Sequence, residues 1–345
     1  MLKLPVSRLG ELYSLIGKER ELYLPLEANG LISFGRWAPG AAARLDWLNS
    51  ARPVKDFYFP QTENLASFQI RGKEIRIEED RDPGAPFAVF GVRACDGASL
   101  DLLDRVFLSD PADTFYQARR QNGVIIANAC TAPEETCFCG AFGVDAAAPG
   151  GDVSVWLVND MLYWESKTDK GDALTLQAGH LFEETGSRDA AIVAKQQADT
   201  RAVFDKLPLK DLRLEGFAEK AEKEIFHAAQ WGGLYQACLG CGSCTFVCPT
   251  CHCYDIRDFD TGRGIRRFRC WDSCMYSDFT MMASGNPRQS QLERFRQRFM
   301  HKLVYFPMNN ESLYACVGCG RCIVKCPISM NIVKVIKTLG VDGNA

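Results

Sequence analysis

Two stretches of this 345-residue chain repeat one arrangement of cysteines, Cys238-x2-Cys241-x2-Cys244-x3-Cys248-Pro249 and Cys316-x2-Cys319-x2-Cys322-x3-Cys326-Pro327. A [4Fe-4S] cubane requires four thiolates converging on four irons, and x2 spacings curl one short loop around three of its faces. The fourth cysteine then points away, and in two-cluster ferredoxins it binds the other cluster. On that rule Cys238, Cys241, Cys244 and Cys326 hold one cluster, and Cys316, Cys319, Cys322 and Cys248 hold a second. Gly240, Gly242 and Ser243 in the first loop, and Gly318 and Gly320 in the second, let backbone N–H groups approach inorganic sulfide. The chemistry implied is one-electron transfer. Zinc also uses Cys-x2-Cys pairs, but a structural zinc is complete with four ligands and has no use for a third cysteine in the run.

Eight of the sixteen cysteines lie outside these loops. Cys95 and Cys130 follow the runs Phe90-Gly-Val-Arg-Ala and Ile126-Ala-Asn-Ala, which read as strand ends, and Cys137-Phe-Cys139 comes soon after. Ligand sites in α/β sheets collect where loops leave the carboxyl ends of neighbouring strands, so these four thiols are expected to share a third [4Fe-4S] cluster. Buried structural thiols or a zinc site are the competing readings. Asp96 is expected to cap a helix starting near Ala98. Cys251, Cys253, Cys270 and Cys274, with His252 among them, are compatible with a further cluster or with buried thiols.

The elements that must position these groups fall into two parts. Residues 1–205 alternate short β-branched or aromatic runs with turns, predicting a mixed α/β domain that carries the third cluster site. Strands are expected at Glu21–Leu26, Glu74–Glu78, Phe87–Val92, Val124–Asn128, Val153–Val158 and Met161–Glu165, the last two joined by an Asn159-Asp160 turn. Helical spacing marks Gly97–Leu108 and Asp189–Phe204. Residues 206–345 are predicted to form an all-α, helical ferredoxin-like domain. An amphipathic helix over Glu215–Tyr235 shows Phe217, Ala221, Ile225 and Ala228 on one face, and Ser290–Val304 and Asn331–Leu339 supply further helices. The overall class is therefore α+β. The long stretch between the two loops is too extended for a compact bacterial-type ferredoxin.

The chain resembles the iron–sulfur β subunits of soluble NAD(P)-linked hydrogenases (sulfhydrogenases) and the kindred A subunit of anaerobic sulfite reductase. The likeness rests on Phe90–Asp96 with Leu103-Asp104, Cys137-Phe-Cys139, Cys248-Pro-Thr-Cys251-His-Cys253-Tyr254, Trp271-Asp-Ser-Cys274, His301-Lys302 and Cys316-Val-Gly-Cys319-Gly-Arg-Cys322. It departs from that pattern at Cys270 and at Gly140-Ala-Phe-Gly143. The resemblance implies an electron-transfer subunit of a cytoplasmic, anaerobic oxidoreductase complex. Its implied partners are an FAD/NAD(P)-binding flavoprotein subunit and a catalytic subunit of hydrogenase, sulfite reductase or heterodisulfide reductase type.

Composition agrees. The chain has no Gly-x-Gly-x-x-Gly after a strand, no Walker loop and only four histidines, so no flavin, nicotinamide or nucleotide site is legible. A net charge of −3 does not favour nucleic acid, and no apolar run reaches the length of a membrane span. The segment Thr261–Lys302 is locally basic, with Arg263, Arg266, Arg267, Arg269, Arg288, Arg294, Arg296 and Arg298 read as a solvated helix face or as a patch that offsets cluster charge or steers a redox partner. The competing reading is a catalytic subunit whose N-terminal cluster keeps an open iron for a sulfur-type substrate. Lys302, Arg321 and Lys325 are candidates for raising the potential of the cluster they adjoin.

Overall fold

A computed structural model describes residues 1–80, 84–219 and 222–340. Twelve strands are labelled in chain order among them: β1 Leu2–Pro5, β2 Glu21–Ala28, β3 Leu31–Arg36, β4 Thr62–Arg71, β5 Glu74–Glu79, β6 Phe87–Val92, β7 Gly123–Asn128, β8 Val153–Val158, β9 Met161–Ser166, β10 Glu183–Glu184, β11 Tyr254–Asp260 and β12 Ile265–Trp271. All six strands expected from sequence are present, with ends differing by no more than two residues.

The larger sheet has the order β10-β1-β9-β8-β7-β6-β2-β3. Its centre, β2, β6, β7 and β8, is parallel, and the flanking pairs are antiparallel. The sequences of β6 and β7 explain why they lie inside. Both are buried along their whole length, with Ala88, Phe90, Val124 and Ile126 facing one core and Phe87, Val89, Ile125 and Ala127 facing another. Such two-sided apolar strands need helices on both faces. Helix α1 (Leu9–Glu19) packs on the first face through Leu12 and Ile16, and α2 (Ala94–Phe107) on the second through Leu100 and Leu103. Helix α3 (Thr114–Asn122) follows, capped by Asp113, which accepts from Phe115 N and Tyr116 N.

The all-α expectation for residues 206–345 is corrected. β11 and β12 form a hairpin from that half, and β12 pairs with β4 to make a four-stranded antiparallel sheet of order β11-β12-β4-β5. The basic residues Arg266, Arg267 and Arg269 thus lie on a strand, not on a helix face. Arg267 pairs with Asp258 across the hairpin at 2.8 Å. Arg269 is buried, pairing with Glu63 at 2.6 Å and with Asp113, while Arg119 also holds Glu63 at 2.6 Å. Four charged groups from three elements, β12, β4 and α3 with its cap, therefore lock the hairpin to the N-terminal half, with each buried charge met by its opposite.

The rest of the C-terminal half is helical. Within the amphipathic run expected over Glu215–Tyr235 the described residues hold helices at Glu215–Glu219, Glu222–Phe226 and Trp231–Gln236, with helix lost at residues 227–230. Gly232 and Gly233 are helical, and Ala221 lies outside the described residues. Helix α4 (Gln291–Met300) buries Phe295 and Phe299, and α5 (Ile332–Leu339) buries Ile332, Val335 and Ile336 in the same core. A Ser290–Glu293 capping box opens α4. Replacing Ser290 with Ala should cost about 1 kcal/mol, read as a lower denaturant midpoint. An unchanged midpoint would show that the box contributes nothing.

Candidate iron–sulfur centres

The two cysteine loops adopt one backbone shape. Gly240 and Gly242 have φ of 68° and 72°, and their counterparts Gly318 and Gly320 have 60° and 78°. Those left-handed conformations turn each loop so that Gly240 N donates to Cys238 Sγ at 3.4 Å and Gly318 N to Cys316 Sγ at 3.5 Å. Each loop then enters a short helix, Ser243–Phe246 or Arg321–Val324, and these two helices pack together.

Cys248, Cys316, Cys319 and Cys322 line one small cavity, together with Arg298 and Lys302. These are the four thiols expected to share the second cluster, including the crossed-over Cys248. Burial raises Cys316 to about 12 and drives Cys322 up as well. As bare thiolates they would be costly there, so a metal that displaces the protons is what makes such a ring of thiols useful. Cys248 behaves differently: its contact with Cys251, and after burial the Lys302 ammonium, hold it well below its ordinary value.

Lys302 sits in a one-turn π-helix, His301–Tyr305, that interrupts the end of α4. Its buried ammonium reaches Thr250 Oγ1 at 2.8 Å, Ala315 O at 2.7 Å and Cys248 Sγ at 3.5 Å. Arg298 is also buried, and its Nε has no hydrogen-bond partner. Among the described residues neither cation is ion-paired with a carboxylate. Two buried cations and an orphaned donor beside four thiols fit a negatively charged thiolate cluster.

A second cavity is lined by Cys95, Cys130, Cys137 and Cys139 with Arg93. Cys95 follows β6 and Cys130 follows β7, so the carboxyl edge of the parallel sheet brings the four thiols together as expected. All four are buried, and burial raises each of them, Cys137 to about 11. Arg93 is buried and donates to the carbonyls of Leu45 at 2.7 Å, Ala129 at 2.8 Å and Trp47. Here too a buried cation without a carboxylate faces a ring of thiols. Among the described residues no three His, Cys, Asp or Glu side chains converge as ligands of a single metal ion. The rings instead suit a polynuclear group in which each thiolate binds a different iron.

Cys319 borders both cavities, and Phe138 N donates to Gly318 O at 3.0 Å. A side chain on Gly318 would collide with the backbone of Phe138 and Cys139, and one on Gly320 would come within 2.6 Å of Thr136 O. The second ferredoxin loop is therefore pressed directly onto the Cys137–Cys139 loop.

Asp96 is not the cap of a helix starting near Ala98. The helix begins at Ala94, and Asp96 in its first turn grips Arg321 through two bonds of 2.6 and 2.7 Å. Arg321 also donates to Ser50 O at 2.9 Å. Arg321 was among the cations expected to tune a cluster, but its charge is already met by Asp96.

The first loop is more open. Cys241 is exposed, next to Leu239 at 65 % exposure, while Cys238 O accepts from Gln291 Nε2. Cys326 donates to Met330 O at 3.3 Å. Sequence reasoning left Cys251, Cys253, Cys270 and Cys274 undecided; Cys251 lies beside Cys248 and Cys253 beside Cys274, whereas Cys270 is on β12 opposite Asp255. It also missed Arg93 and Lys55, whose burial no local sequence signal announces.

Fold and thiol rings together define an iron–sulfur protein of the electron-transfer type. The 4Fe-4S dicluster domain profile matches residues 237–330. The subunit beta of sulfhydrogenase 2 from Pyrococcus furiosus is 32 % identical over 328 residues, covering 94 % of each chain. No solved structure matches. The chain belongs to the family of sulfhydrogenase iron–sulfur β subunits. No helix among the described residues is long and apolar enough to cross a membrane.

Proposed function

We propose that this subunit relays single electrons between an FAD/NAD(P)-binding flavoprotein and a catalytic partner of hydrogenase or related reductase type, in the cytoplasm. Three [4Fe-4S] clusters are assigned. Cys238, Cys241, Cys244 and Cys326 hold the first; Cys248, Cys316, Cys319 and Cys322 the second; Cys95, Cys130, Cys137 and Cys139 the third. The observation that carries the reading is the shared wall at Cys319, which puts two thiol rings back to back. When bound, the clusters supply one-electron carriers of tunable potential. The protein's own residues exclude water from the two inner rings, hold the sulfurs through the Gly240 and Gly318 N–H groups, and offset negative charge with Lys302, Arg298 and Arg93. Exposed Cys241 and Leu239 favour the first loop as the face where a partner exchanges electrons. The reading with an open N-terminal iron is disfavoured because Cys95, Cys130, Cys137 and Cys139 all line that cavity beside the shared Cys319, so a full set of four thiols is at hand.

The domain organisation proposed is residues 1–205 as the α/β domain and 206–345 as the ferredoxin-like domain, with the β11–β12 hairpin reaching back to the first. The test is iron and acid-labile sulfide per chain in anaerobically purified protein, compared with a Cys137→Ser/Cys139→Ser variant. The variant should lose about four irons. Equal iron in both proteins would remove the third cluster.

A further inference from the structure

Three half-buried cysteines remain that neither ferredoxin loop nor the sheet-edge site uses. The chain leaves Cys248 and returns within three residues, Cys251 N donating to Cys248 O at 3.4 Å. It then enters the β11–β12 hairpin through Cys253 and leaves it towards Cys274. Tyr254 is paired with Trp271 at the hairpin base, and Asp272 N donates to Cys253 O at 3.0 Å. This closure brings Cys253 and Cys274 together, while Cys251 lies beside Cys248. Ser273 Oγ, accepting from Thr245 Oγ1 at 2.9 Å, ties the Cys274 turn to the first ferredoxin loop.

A second, independent observation concerns charge. Lys55, from the N-terminal half, is only 1 % exposed. Its ammonium donates to Cys251 O at 2.9 Å, lies 3.6 Å from the Trp271 ring centroid, and forms no ion pair with a carboxylate among the described residues. Burying an ammonium on a carbonyl and a ring alone is costly unless negative charge lies close by. Lys302 and Arg298 already border the ring that contains Cys248. Lys55 is left over, and the unassigned thiols beside it are Cys251 and Cys253, with Cys274 next to Cys253.

We infer that Cys251, Cys253 and Cys274 hold a fourth iron–sulfur cluster through three thiolates, with Lys55 offsetting its charge. Three thiolates on a four-iron cluster leave one iron without a protein ligand, so an exogenous ligand such as cyanide can bind there. Assembly displaces three thiol protons and involves no net oxidation of the protein. The assignment rests on the preceding reading only in taking Cys248 for the second cluster.

The experiment uses the full chain, purified anaerobically with ⁵⁷Fe. Wild type should contain about sixteen irons by analysis and Mössbauer area, and a Cys253→Ser/Cys274→Ser variant about twelve, with the other cluster signals retained. Cys270→Ser, on the same hairpin, should keep the wild-type content. Cyanide should shift one EPR signal in wild type and none in the double variant. An unchanged iron content in the double variant, one zinc per chain, or a Cys253–Cys274 disulfide by mass would each overturn the inference. The wild-type measurements need no variant to fold. Failure of the sheet-edge site is read separately from Cys137→Ser/Cys139→Ser, so the two ideas can fail independently.

Discussion

Replacing Lys302 with Met should lower the midpoint potential of the centre at Cys248, Cys316, Cys319 and Cys322 by on the order of 100 mV. The reduced form of a thiolate cluster is the more negative one, so a nearby cation favours reduction, and its removal makes the potential more negative. A unit charge about 5 Å away at an effective dielectric near 20 contributes about 3 kcal/mol, where about 2.3 kcal/mol corresponds to 100 mV for one electron. Lys302 lies 3.5 Å from Cys248 Sγ and is buried, so solvent screens it little. Met keeps most of the side-chain volume, although Thr250 Oγ1 and Ala315 O each lose a donor. An EPR-monitored redox titration measures the shift, and a midpoint within about 20 mV of wild type would reject Lys302 as a tuning residue.

Arg321→Met should instead act on stability, lowering it by about 3–5 kcal/mol. The Arg321–Asp96 pair is 4 % and 1 % exposed, so removing the guanidinium leaves a carboxylate stranded in a dry interior. Ser50 O and Ser50 Oγ lose their donors as well. The double variant Asp96→Leu/Arg321→Met removes both charges and should recover most of the loss, because the pair's desolvation cost disappears with it. Anaerobic guanidinium unfolding of the single and double variants decides this. Equal midpoints for wild type and Arg321→Met would show that the pair is not holding the second ferredoxin loop to the N-terminal domain.

Much of the site was legible because iron–sulfur loops are encoded locally: spacing, glycine and proline all fall within eleven residues of Cys238 or Cys316. The centre of the larger sheet was legible for a similar reason, since β6 and β7 are continuous apolar runs. The β11–β12 hairpin was not. Its faces carry Asp255, Arg257, Asp258, Arg266 and Arg267, mostly exposed, so little apolar alternation marks it as strand. What holds it is Arg269 on Glu63 and Asp113, a long-range pairing that no window of neighbouring residues contains. Asp96 was misread for the same reason: its partner, Arg321, is 225 positions away.

The strand pairing of β12 with β4 also orders events on the ribosome. β4 and β5 leave the exit tunnel long before residue 265 is made, and until then they form a two-stranded ribbon whose β4 edge is open to any passing strand. Closing that edge waits for the segment that lies between the two ferredoxin loops. The nascent N-terminal half must therefore be kept from other polypeptides through most of translation.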